Sequence, residues 1–218
     1  MARLARVVIP DLPHHITQRG VRRLDVFFSD DDRLEYLKNL SEQGERFGVS
    51  YLAWCLMSNH VHLIAIPERA DSLARGIGEA HRRYTRYINF REGWRGYLFQ
   101  GRFHSFPLEG DYLLGATRYV LRNPVRAGIA KKAWDYRWSS AAWFVGKRPD
   151  DPLAVPSDLL ADIGNPRAFL AQEEERIPII RRHARTGRPL GSETFIDRLE
   201  ELTGRILRPR KRGPKPSR

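Results

Sequence analysis

Apolar and polar positions change period several times along the chain, and each change predicts an element. After Val7-Val8-Ile9 and a proline-flanked break at 10–13, His15-Ile16-Thr17-Gln18-Arg19 alternates as a half-buried strand does. Ser29-Asp30-Asp31-Asp32 is an acidic start suited to a helix N-terminus, and Leu34, Leu37 and Leu40 follow at helical spacing up to Gly44 or Gly48. Two apolar runs, 49–56 and 61–66, flank Met57-Ser58-Asn59 and predict an antiparallel hairpin. Leu73, Ile77, Ala80, Tyr84, Tyr87 and Ile88 predict a second helix over residues 71–90. Tyr97-Leu98-Phe99 leading into Arg102-Phe103-His104-Ser105 reads as loop into strand. A third helix is expected from about 111 to 123, where Pro124, lacking an amide hydrogen, forbids its continuation.

The order strand, helix, strand, strand, helix, strand, helix predicts an α+β fold, a split α/β sandwich on an antiparallel sheet. A stretch rich in Pro and Asp at 148–156 marks a boundary, giving a main folded domain over 1–150, a helical extension over 151–204 and a basic tail over 205–218. Helices are expected in the extension near 157–160, 166–175 and 194–203. In the last of these, Thr194 and Asp197 have the spacing of a capping box, Phe195, Ile196, Leu199 and Leu202 form an apolar face, and Gly204 is the stop. The Gly187-Arg188-Pro189 link could carry this helix across a face of the main domain.

Composition narrows the class. With 218 residues, 41% hydrophobic and 11% aromatic, the chain can build a core, which excludes wholesale disorder. Its apolar runs fall far short of the ~20 residues that cross a bilayer, so no membrane partner is expected. The single cysteine, Cys55, excludes an internal disulfide and a cysteine-based metal site, fits a cytoplasmic location, and leaves His, carboxylate or amide groups to hold any metal. The net charge of +12 points to a polyanion; residues 205–218 carry seven basic groups and no acid. Nucleic acid is the expected partner, because no basic amphipathic helix accompanies the tail.

The candidate chemistry lies in two segments. On a strand, His60 and His62 point to one side and Val61 to the other, so the two imidazoles make half a site for a borderline divalent cation; such a pair also serves as plain structure. Tyr119 and Asn123 are spaced to share a helix face, setting a phenol beside an amide oxygen able to complete a metal shell, with Arg118, Arg122 and Arg126 around them. Arg19, Arg82, Arg86, Arg102, His104 and Arg188 are further candidate DNA contacts, and Arg210, Lys211 and Arg212 form a proline-stiffened phosphate tether. His15 is left outside the metal set, since a structural role serves it equally. Trp134, Trp138 and Trp143 are assigned to the core.

Taken together, His60-Val61-His62, Tyr119 with Asn123-Pro124-Val125-Arg126-Ala127-Gly128, Pro13-His14-His15-Ile16-Thr17-Gln18-Arg19-Gly20 and Phe99-Gln100-Gly101-Arg102-Phe103-His104-Ser105 resemble the single-tyrosine HUH transposases over roughly residues 3–145. Thr186-Gly187-Arg188-Pro189-Leu190-Gly191-Ser192, followed by a helix and a basic tail, is similar to their REP-associated tyrosine transposase branch. The resemblance implies a ferredoxin-like domain that cleaves and joins single-stranded DNA folded as a hairpin. His60, His62 and Asn123 would bind Mg²⁺ or Mn²⁺, and Tyr119 would attack to give a 5′-phosphotyrosine and a free 3′-OH. It also implies a monomer or homodimer in the bacterial cytoplasm, associated with the nucleoid. The alternative is a hairpin-DNA-binding regulator on the same scaffold, without turnover.

Overall fold

The computed structural model describes residues 5–161 and 163–209. Strand β1 (His14–Arg19) leads into helix α1 (Asp30–Phe47), the hairpin β2 (Val49–Leu56) and β3 (His60–Pro67), helix α2 (Ser72–Glu92), strand β4 (His104–Pro107) and helix α3 (Gly110–Leu121). The start of α1 is fixed by a reciprocal cap. Ser29 Oγ accepts from the Asp32 amide at 3.2 Å, and Asp32 Oδ2 accepts from the Ser29 amide at 3.0 Å. Gly48, at φ +66°, turns the chain out of the helix and straight into β2.

The four strands pair antiparallel in the order β2-β3-β1-β4, which places β1 and β3 side by side at the centre. Side-chain alternation divides the core. Ile16, Trp54, Leu56, Val61 and Leu63 pack with Leu73, Ile77 and Tyr84 under α1 and α2, while Leu52, Ile64 and Phe106 pack with Leu113, Ala116 and Val120 under α3. Each such fully buried side chain contributes about 1.5–3 kcal/mol. A bulge in β2 between Tyr51 and Ala53 turns Leu52 and Ala53 both toward α3. The fold is the α+β sandwich expected from the element order.

Several boundaries differ from expectation. Residues 97–101 form no strand beyond an isolated bridge, Gly20 to Phe99, and β4 is confined to four residues. Helix α3 ends at Leu121, not Asn123; Arg122 leaves the helical region and Asn123 opens a separate turn, α4 (Asn123–Arg126). Pro124 thus begins a helix as well as ending one, because a first-turn residue needs no amide donor.

The extension is fastened to this core at several points. Residues 151–155 run beside β2, with the Trp54 indole N–H on Asp151 at 2.7 Å and the Val155 amide on the Tyr51 carbonyl at 2.9 Å. A short α5 (Ala141–Phe144) precedes α6 (Pro166–Ala171), α7 (Ile177–Thr186) and α8 (Glu193–Thr203). Helix α6 is shorter than expected and α7 was not expected at all. The cap of α8 is Ser192, whose Oγ accepts the Phe195 amide at 3.1 Å, not Thr194, and Leu202 is exposed. Helix α8 does not run across the face that carries Tyr119: Phe195 and Leu199 pack with Val7, Ile9 and Leu207.

Candidate active site

Strand register assembles the site. Thr17 faces His62, Arg19 faces His60 and His15 faces Ile64, so His15, His60 and His62 share the side of the sheet covered by α3. There α3 delivers Tyr119, whose ring stands perpendicular to that of His62 with centroids 5.5 Å apart and edge-on to His15 at 5.8 Å. From α4, the Arg126 guanidinium lies 4.1 Å from the centre of the Tyr119 ring. His60, His62, Tyr119 and Arg126 line a cavity of about 830 Å³ together with Arg19, His104, Asn123 and, from α7, Arg181 and Arg185, while His15 is buried behind it. Among the described residues, no acidic side chain lines it.

Both candidate ligand imidazoles are neutral at ordinary pH. Burial, then Arg19 and Arg126, push His60 down to about 4; burial first, then its histidine neighbours and Arg126, holds His62 well below the usual imidazole value. His60 Nδ1 is engaged by Asn59 Oδ1 at 2.6 Å and His62 Nδ1 by His15 Nε2 at 3.1 Å. That leaves each Nε2 for an outside partner. Asn123, 5% exposed, has no hydrogen bond from its amide among the described residues. Nowhere in those residues do three His, Cys, Asp or Glu side chains gather as a metal site. Two neutral imidazoles and a buried, unengaged amide oxygen still fit a divalent cation that takes its remaining positions from phosphate and water, with nitrogen donors favouring Mn²⁺ over the oxygen-seeking Mg²⁺.

The arginines expected here divide. Arg19 and Arg126 line the cavity, as does His104. Arg118 and Arg122 do not: Arg118 pairs with Glu174 at 3.1 Å and donates to the Phe169 carbonyl at 3.0 Å, while Arg122 donates to the carbonyls of Ala171 and Gln172. Both hold the extension to α3. Arg188 is likewise committed, donating to the Leu207 carbonyl. Arg82, Arg86 and Arg102 line a separate groove between α2 and the loop 96–103, with Arg6 and the exposed Tyr97. Arg210, Lys211 and Arg212 lie outside the described residues. Trp138 is buried, and Trp134 and Trp143 pack against the core.

Sequence reasoning missed Arg181, Arg185 and Asn59. Arg181 and Arg185 lie one turn apart on α7, a helix whose start is broken in the sequence by Pro178 and the polar run at 172–176. Asn59 engages the neighbouring His60, and His15, left outside the metal set in the sequence, reaches His62 only across the β1–β3 register.

Comparison with known proteins supplies an independent line. A family model described as IS200-like transposase matches residues 9–123. Among solved structures, a REP-associated tyrosine transposase bound to a REP hairpin superposes with a TM-score of 0.58 at 19% identity, covering 72% of this chain and 93% of that one. A Deinococcus radiodurans R1 protein assigned as a transposase matches with a TM-score of 0.38 at 18% identity, covering 59% and 92%. No curated protein sequence matches the chain.

Proposed function

The chain belongs to the IS200-like transposase family, and from that premise we propose that it is a single-strand DNA endonuclease and strand transferase of the HUH type, with Tyr119 as nucleophile. The observation that carries this reading is the meeting of Tyr119, His60, His62 and Asn123 at one cavity lined by arginine and free of acidic side chains among the described residues. A phosphodiester brings the negative charge that such a cavity lacks. Tyr119 Oη attacks phosphorus, an O–P bond forms, and the bond from phosphorus to the 3′-oxygen breaks. The phenolic proton passes to water, and the leaving oxygen takes one up as a 3′-OH. Arg126, over the ring face, stabilises the charge that develops on the phenol oxygen. His60 and His62 through Nε2, and Asn123 through its amide oxygen, would hold a divalent cation, Mn²⁺ or Mg²⁺; when bound, it polarises the phosphate. Because the phosphotyrosine retains the phosphodiester energy, a 3′-OH can reverse the step without a nucleotide cofactor.

Hairpin DNA is the proposed substrate. The structural neighbour with a bound REP hairpin supports it, as do the carboxylate-poor groove and the basic tail on this chain. The deciding experiment incubates labelled single-stranded hairpins with Mn²⁺ and the full chain. A covalent protein–DNA band is expected from the wild type and none from Tyr119→Phe, which loses only the phenolic oxygen. An adduct that persists in Tyr119→Phe, mapped to Tyr112, Tyr84 or Tyr87, would refute the assignment.

A further inference from the structure

We infer that Asn59 and His15 are positioning residues, one for each candidate ligand imidazole, that hold the ring nitrogens facing the cavity ready to accept a cation; the inference rests on the metal reading above.

For His60 the chain of hydrogen bonds has a forced direction. The Arg23 carbonyl can only accept, so the Asn59 group 3.1 Å from it is the Nδ2 amine. That orients the amide with Oδ1 toward His60, 2.6 Å from Nδ1. An amide oxygen also only accepts, so His60 carries its proton on Nδ1 and a lone pair on Nε2. The Arg23 carbonyl is aimed by an unusual turn. Arg22 and Arg23 both adopt left-handed backbone, φ +53° and +66°, a conformation that side-chain-bearing residues occupy at a cost of about 1–3 kcal/mol each. Gly20 opens this turn where a Cβ would lie 2.1 Å from the Leu24 carbonyl oxygen, so no other residue fits without shifting the chain. The Gly20 amide bonds the Asn59 carbonyl at 2.9 Å, and the Val26 amide bonds that of Ser58 at 2.8 Å, which ties the strained turn to the hairpin that carries His60.

For His62 the partner is buried. His15 is fully enclosed, lies edge to edge with His62 with ring planes only 15° apart, and meets Phe106 edge-on. A cation at His62 Nε2 requires the proton on Nδ1, where His15 Nε2, 3.1 Å away, accepts it. The other nitrogen of His15, Nδ1, is buried with no partner among the described residues, so nothing else there fixes its tautomer and His62 dictates it. The acceptor is a neutral ring in place of the carboxylate that commonly backs a ligand histidine. It therefore orients the ligand without adding negative charge to a site that must admit phosphate.

The test reads metal affinity and tautomer directly. Unbound Mn²⁺ is followed by electron paramagnetic resonance during titration of the full-length protein without DNA. His15→Phe keeps a ring beside Phe106 and Tyr119 but removes the acceptor, and His15→Gln returns one near the Nε2 position. Losing such a partner costs about 10- to 100-fold in metal affinity, so His15→Phe and Asn59→Ala are each expected to weaken Mn²⁺ binding by about that factor, with His15→Gln recovering to within about threefold of wild type. Nitrogen-15 spectra of the imidazoles should show His60 as the Nδ1–H tautomer in the wild type and as a mixture in Asn59→Ala. Folded His15→Phe and Asn59→Ala proteins with Mn²⁺ affinity equal to wild type would overturn the inference, as would a wild-type His60 protonated on Nε2. If His15→Phe does not fold, the Asn59→Ala titration and the tautomer spectra still decide. A wild type that binds no Mn²⁺ yet holds the stated His60 tautomer supports the positioning of His60 and overturns the metal reading instead.

Discussion

Arg126 shows how much a single side chain decides at this site. It stands over Tyr119 from the turn that follows α3, and its Nη1 also reaches the Tyr119 carbonyl at 3.4 Å, so one group braces both the ring and the backbone of the proposed nucleophile. A cation on an aromatic face contributes about 0.5–2 kcal/mol according to its exposure, and ~1.4 kcal/mol is tenfold in rate. Arg126→Met should therefore slow formation of the covalent adduct about tenfold, while a hairpin bound through many other cations loses less of its affinity. Single-turnover cleavage followed beside fluorescence anisotropy separates the two quantities; an unchanged adduct rate would remove Arg126 from the chemistry. Arg118, spaced to look like its equal in the sequence, has a different role because its partners come from 51 and 56 residues further along the chain.

At the scale of elements, α3 has two working sides, one carrying Tyr119 and the other receiving α6 and the segment after it. Glu174 is 6% exposed at its side chain and has the Arg118 guanidinium as its salt-bridge partner. Removing Arg118 strands a buried carboxylate, a loss on the order of 3 kcal/mol, whereas removing both partners costs less. Urea unfolding of Arg118→Ala, Glu174→Ala and the double variant should give a clear positive coupling; additive losses would mean that the pair holds nothing. The same contrast explains what could be read in advance. Strand β1 through helix α2 was legible because period-2 and period-3.6 patterns there are long and their caps are local, as in Ser29 and Asp32. The pairing of His60 with His62 was legible because strand parity alone decides it. Tyr119 was singled out by its spacing to Asn123 and its flanking arginines, and the resemblance added the role of nucleophile that is proposed for it. Helix α7 was not legible, since Pro178 and the polar run at 172–176 break the pattern at its start. Nor was His15, whose partner lies 47 residues away and is set beside it only by the β1–β3 register.

The whole molecule responds to pH and to salt in part through groups that the site does not use, with His15, His60 and His62 adding to the pH response in the same direction. His14 is buried and locked neutral, with the Ile9 amide donating to its Nε2 at 3.3 Å and its Nδ1 on the Leu12 carbonyl at 2.8 Å; burial pushes it down to about 4. His81, bonded to the Tyr36 hydroxyl at 2.8 Å, is pushed down to about 3, again by burial. Above the unfolded value of 6.5, neither state takes up the proton and this stability is fully present. As pH falls from about 6.5 toward 4, only the unfolded chain binds it, so stability drops by up to about 1.4 kcal/mol per pH unit for each group. Urea midpoints should therefore fall between pH 7.5 and 5, and His81→Gln should flatten the fall; a flat wild-type profile would refute the assignment. Salt tests the tail, and the structure settles where to cut it. Leu207 is buried against Val7, Ile9, Phe195 and Leu199, and Arg208 pairs with Glu193, Asp197 and Glu200, so a cut after Gly204 would remove core along with charge. A cut after Pro209 removes five cations, Arg210, Lys211, Arg212, Lys215 and Arg218, and leaves those contacts intact. Each phosphate neutralised on a single strand contributes roughly 0.7 to the slope of log affinity against log salt, so this truncation should flatten the slope by up to about 3.5. Cleavage of short hairpins at low salt should be retained, because among the described residues every group lining the Tyr119 cavity precedes the cut. An unchanged salt slope would show that the tail does not touch DNA, and loss of cleavage with the fold intact would give it a part in the chemistry.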